Sequence, residues 1–123
     1  MPSDHLSQKK SALEIPADVG VFQAIKGQKG IRISQAAPLF LQYAQYDQSL
    51  SLQTVRKYRE CLGWVVRDLD DTAADAITLG HVTMMKQKII TRGAGDRRVY
   101  SMVFALRNLL KYCAEILELP AMD

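Results

Sequence analysis

Metal and thiol chemistry have little to work with in this sequence. Its 123 residues hold two histidines and two cysteines. His5 is followed by Gln8 and Lys9 at i+3 and i+4, and His81 by Met84 and Met85. Neither has a second ligand at helical spacing, so no metal site is expected. Cys61 and Cys113 fall inside apolar helical patterns without a zinc-type partner, which reads as two buried thiols in a reducing compartment. A phosphate-binding loop is missing as well, because "GAGD" (93–96) lacks the lysine that such a loop requires. No stretch approaches the roughly 20 apolar residues that span a bilayer. The opening "MPSDHLSQKK" lacks the charged-then-apolar order of a signal peptide. The acids of "DLDDTAAD" (68–75) read as a solvated connector rather than a catalytic carboxylate pair. Together these absences predict a cytoplasmic chain with no active site, no cofactor, no metal and no membrane partner.

What is present is the composition of one folded domain. Apolar residues make up 48% and charged residues 24%, which supports a single core and argues against wholesale disorder. A formal charge of +3 and a pI near 9.0 permit a nucleic-acid partner without requiring one. The placement of the charge therefore matters more than its total.

Residues 1–32 include Pro2, Pro16, Gly20, Gly27 and Gly30 among scattered lysines, which predicts a loosely ordered N-terminal arm. Within it "VGVFQAI" (19–25) suggests a short turn or strand. From Ser34 four helical segments follow. The first runs to about Asp47 and buries Ala37, Leu41 and Ala44, with Phe40 and Tyr43 alongside; Pro38 is tolerated near its first turn. The second, capped by Ser51, runs from Leu52 to about Leu69 on a stripe of Val55, Tyr58, Leu62, Val65 and Leu69. The third follows Thr78 as N-cap, through Leu79, Val82, Met85 and Ile89 to Gly93. The fourth has Asp96 as N-cap and a stripe of Val99, Val103, Leu106, Leu110, Cys113 and Leu117, with Pro120 beyond its end. No segment alternates with period two for long enough to predict a sheet. The expected class is all-α, a compact four-helix bundle over residues 33–119, with 120–123 beginning a linker.

Two helix starts carry charge of the wrong sign. Arg56, Lys57 and Arg59 follow Ser51 with only Glu60 to answer them, and Arg97 and Arg98 follow Asp96. An exposed cation there costs roughly 0.3–1 kcal/mol against the helix dipole. On a helical wheel Gln53, Arg56, Lys57, Glu60 and Arg67 lie opposite the core stripe of the second helix. Arg97, Ser101, Asn108 and Lys111 lie opposite that of the fourth, with Arg107 on the flank. Such faces are commonly just solvated, but an anion held by guanidinium groups and helix-start amides would resolve the mismatch. Thr54 and Ser101 add hydroxyls of the kind that contact duplex backbones. Trp64 and Phe104 fall on the polar sides of their helices, where they either pack against a neighbour or face a partner.

These residues resemble a known family. "ISQAAPLFLQYAQ" followed by Ser51, Thr54 and Tyr58 in "SLQTVRKYRECL", and Arg107 within "FALRNLLKYCAEILEL", resemble the N-terminal core-binding (SAM-like) domain of tyrosine recombinases and phage integrases over about Ile33–Leu119. The resemblance implies half of a C-shaped clamp on double-stranded DNA at a recombination half-site. It assigns DNA contact to Thr54, Arg56, Lys57, Arg97, Arg98, Ser101 and Arg107, and the wheel adds Lys111. Arg107 could equally pair with an acid inside the fold.

The partners it implies are duplex DNA, a C-terminal catalytic domain of the same parent protein, and further recombinase protomers. That catalytic domain would hold an Arg, a Lys, a His-x-x-Arg pair and a nucleophilic Tyr. Neither His5 nor His81 stands in a His-x-x-Arg pair here, so strand cleavage by this chain alone is not expected. Arg97→Glu should then weaken binding more than Lys88→Glu. The rival expectation is a helical protein-interaction domain anchored by Trp64 and Phe104 and indifferent to DNA.

Overall fold

The computed structural model describes residues 19–120 and 122. Five α-helices follow in order: α1 (Val19–Ile25), α2 (Ile33–Gln42), α3 (Leu52–Asp68), α4 (Leu79–Thr91) and α5 (Asp96–Glu115). A π-helical turn (Tyr43–Asp47) prolongs α2, and a 3-10 turn (Ala74–Ala76) precedes α4. Among the described residues there is no strand, only an isolated antiparallel bridge between Arg32 and Ala73. The described residues are all-α, with four main helices and one short one. None of the described helices is long and apolar enough to cross a membrane.

The expected loose arm needs correction. Residues 1–18 lie outside the described residues, but 19–32 belong to the folded unit. "VGVFQAI" is helix α1 rather than a turn or strand. Seven residues cannot sustain a helix alone, so tertiary contacts hold it. Ile25 and Ile31 are buried, the Gly27 amide donates to the Leu117 carbonyl at 2.8 Å, and Lys26 lies 3.9 Å from Glu118. Gly27 and Gly30 both sit at positive φ (76° and 71°), the conformation glycine adopts without strain.

The acidic connector is a clasp, not a solvated loop. Asp71 reaches the start of α2, where its carboxylate accepts from the Ser34 amide (2.9 Å) and the Ser34 hydroxyl (2.7 Å). The first turn of α2 has no acid of its own, so a distant aspartate supplies the anion that the helix start favours. The α2 start itself lies one residue earlier than expected, at Ile33, where Gln35 accepts from the Arg32 amide. Asp75 accepts from the Gly30 amide at 3.1 Å, and Asp71 also offers its carbonyl to Arg32. Asp70 and Asp71 both have positive φ, a conformation that short Asp side chains tolerate.

The most extensive helix contact is between α3 and α5; α2 lies against both, and α4 packs on both as well. The α3 stripe is as expected, with Val55, Leu62, Val65 and Leu69 buried and Tyr58 partly so. On α5 the buried line is rotated from the expected stripe. Met102, Ala105, Leu106, Leu109, Tyr112 and Cys113 are buried, whereas Val99, Val103 and Leu110 are only partly covered. The reason is that α5 has neighbours on two sides, so its apolar arc is broad and its deepest line falls between them. Leu79, expected in the core, is 81% exposed. Both cysteines are buried free thiols, and burial pushes Cys113 up to about 12.

Candidate functional site

Where the C-terminal half of α3 meets the start of α5 and the end of α4, a groove of about 760 Å³ opens. Its cations are Lys57 and Arg67 from α3, Arg92 from the end of α4, and Arg97 and Arg98 from α5; Glu60 is its one lining carboxylate. Even with buried Asp68 counted behind it, the formal excess is three positive charges. That equals the net charge of the whole chain. The bias therefore has an address.

Asp68 organises this groove. Its side chain is 1% exposed and bonds Arg92 Nη2 (2.7 Å) and Arg67 Nε (3.2 Å). Burial alone would raise this carboxyl's pKa, but the hydrogen bonds from Arg92 and Arg67 outweigh it and hold the group below its ordinary value. The Asp68 carbonyl also accepts from Lys88 at 3.0 Å, so two cations of α4 meet the negative end of α3. Lys88 is thus a structural residue and a poor control for surface charge. Lys86, exposed on the same helix, is the better one.

The two helix starts differ. Ser51 caps α3, its hydroxyl oxygen accepting from the Thr54 amide at 3.1 Å and donating to the Thr54 hydroxyl at 2.9 Å. The α5 start has no side-chain cap. The cap position is Gly95, and Asp96, expected there, stands inside the first turn. Gly95 lines the groove together with Arg97 and Arg98, so the open helix end and its guanidinium groups face the same space. Arg98 is held over the Trp64 ring, 4.4 Å from its centroid, a cation–π contact worth about 0.5–1 kcal/mol at an exposed site.

Of the expected contact residues, the groove gathers Lys57, Arg97, Arg98 and Ser101. Thr54 is engaged in the α3 cap, and neither it nor Arg56 lines the groove. Arg107 and Lys111 do not line this groove. Both line a separate groove with Val82, Val103 and Leu110, between α4 and the middle of α5. Ten residues carry Arg107 roughly 15 Å along α5 from Arg97 and about 80° around it. Arg92 was missed because a cation near a helix C-terminus reads as ordinary dipole complementation, and only the fold brings it beside the α5 start. Trp64 is partly buried under Arg98, whereas Phe104 stays 41% exposed.

His81 completes the capping box of α4, its ring Nδ1 accepting from the Thr78 amide at 3.0 Å. Among the described residues no group of His, Cys, Asp or Glu side chains could hold a metal ion. A scan against protein-family models and searches of curated proteins and of solved structures each found no match for the chain.

Proposed function

We propose that this chain is a duplex-DNA-binding module, the core-binding (SAM-like) domain of a tyrosine recombinase of phage or mobile-element type. The observation that carries the reading is the groove at the α5 start. Four side chains singled out from sequence converge there from two helices, Arg67 and Arg92 join them, and the helix end they surround has no side-chain cap. Guanidinium groups and helix-start amides are the donors that phosphate oxygens take. The order of a short opening helix, a long one, a shorter one and a second long one packed on the first supports the family resemblance. In this reading the chain positions DNA, and strand cleavage belongs to a catalytic domain of the parent protein. Further protomers would meet on the same DNA.

The protein-interaction reading is weaker, because one of its two anchors, Trp64, is covered by Arg98. The test is fluorescence anisotropy of a labelled random-sequence duplex titrated with the chain at several salt concentrations. If about four phosphates are engaged, the association constant falls roughly a hundredfold between about 50 and 200 mM salt. A salt-independent affinity, or no binding at the lower salt, overturns the reading.

A further inference from the structure

Next to the basic groove, along the same α3–α5 seam, the aromatic side chains form a row. Its inner members are tilted against one another as core rings commonly are: Phe40 meets Tyr58 at 52° and Tyr112 at 61°. Its outer members are nearly parallel. Tyr58 and Phe104 stack with centroids 6.4 Å apart at 25°, and Phe104 and Tyr100 at 5.9 Å and 17°. The row ends on Tyr100, 69% exposed, so a column of flat rings begins in the core and stops with an open face in solvent. Asn108 fixes its root by donating to the Tyr58 hydroxyl at 3.2 Å.

The surroundings favour an anionic partner for that open face. Arg97, Tyr100, Ser101 and Phe104 stand at i, i+3, i+4 and i+7 of α5, which puts the aromatic pair on the same side of the helix as the groove's Arg97 and Ser101. Glu115 and Lys111 line the recess beside Phe104, and Asp96 stands one position before Arg97. Glu115 has Lys111 beside it, and even with Asp96 counted alongside Glu60 and Asp68 the five cations of the groove leave a formal excess of two positive charges. Phosphate-binding cations beside a stacking platform are the two parts that single-stranded nucleic acid requires, because every base has a flat face to stack.

We infer that Tyr100, backed by Phe104, stacks on an unpaired nucleobase whose backbone enters the basic groove. The inference rests on the nucleic-acid reading above and adds the substrate class: a duplex with an unpaired or displaced nucleotide. The two can be tested apart with three probes, a labelled duplex, the same duplex with a three-thymidine single-stranded extension, and oligothymidylate alone. Wild-type protein should bind the extended duplex about tenfold more tightly than the plain one. Tyr100→Ala should erase that preference and leave plain-duplex affinity unchanged, while Tyr100→Trp should restore it. Tyr100 is exposed and alanine favours helix, so the variant's circular dichroism should match the wild type.

Equal affinity of the wild type for both duplexes, or a preference that survives Tyr100→Ala, overturns the inference and leaves the groove reading standing. Binding of oligothymidylate but not of duplex, lost in Tyr100→Ala, supports the stacking site and overturns the duplex reading. Failure to bind any probe overturns both. Self-association in sedimentation velocity that Tyr100→Ala abolishes, with no preference for the extension, assigns the surface to a protein contact and also overturns the inference.

Discussion

The starts of α3 and α5 look alike in sequence and differ in space. Both place cations where a helix dipole prefers acids. At α3 the serine cap closes the end, Thr54 is drawn into the cap, and Arg56 does not line the groove. At α5 a glycine leaves the end open, and cations from three helices converge on it. Wrong-sign charge at a helix start is therefore an incomplete signal. It becomes a binding feature only where the end is uncapped and neighbouring elements add charge of the same sign.

The largest expected effect comes from reversing the α5 start. Arg97→Glu with Arg98→Glu should reduce duplex affinity about a hundredfold or more in anisotropy at low salt, since it removes two phosphate contacts and adds repulsion. Lys86→Glu on α4 should change it about twofold. Equal losses from the two would mean that net charge, rather than the groove, attracts DNA.

Next is Asp68, which holds the groove's Arg67 and Arg92 from behind. Asp68→Asn should cost about 1–3 kcal/mol in urea denaturation, less than a fully buried pair because both arginines are partly solvated. Its pH dependence has a definite sign. The folded carboxyl has a pKa below its unfolded value, so its stabilisation is complete above the unfolded value near pH 4 and fades as pH falls through the folded one. The difference in stability between wild type and Asp68→Asn should shrink over that acid range. A constant difference would show that Asp68 acts through packing alone. Freed from the carboxylate, Arg92 should also bind duplex somewhat more tightly, per folded molecule.

Exchanging the caps sharpens the comparison further. Ser51→Ala should cost about 1 kcal/mol of stability with unchanged DNA affinity. A Cβ at Gly95 meets nothing within 4 Å, so Gly95→Asp should fold. It caps α5, adding a few tenths of a kcal/mol at most, yet it places a carboxylate where phosphate is expected and should weaken binding several-fold. Affinity that is unmoved by Gly95→Asp would sink the role given to the open helix end.

The smallest expected effect is from Arg56→Glu at the closed end of α3, about twofold or less in the same titration. A loss there as large as that of the α5 reversal would restore equivalence to the two starts.

The legibility of this fold in its sequence depends on how narrow the apolar stripe of each element is. Helix α3 carries polar or charged residues at most of its other positions, so Val55, Leu62, Val65 and Leu69 could be read directly from their spacing. Helix α5 is apolar around more of its circumference, and its simple three-and-four pattern pointed to Val99, Val103 and Leu110 rather than the deeper Met102, Ala105 and Leu109. Helix α1 was illegible because a seven-residue segment that itself contains Gly20 is too short to show a periodicity. The part played by Asp68 was hidden in a cluster of acids that share one composition and have four different environments.

By itself, the sequence determined the helical class, the four main helices, the caps at Ser51 and Thr78, and the supply of cations near two helix starts. These follow from local rules, since capping and amphipathic spacing act within one or two turns. Only the tertiary structure decided which cations share a groove, that Asp68 and Asp71 serve as clasps, and that the aromatic row surfaces at Tyr100. Those properties join residues distant along the chain, and electrostatic and stacking contacts act over a few ångströms of space whatever the separation in sequence.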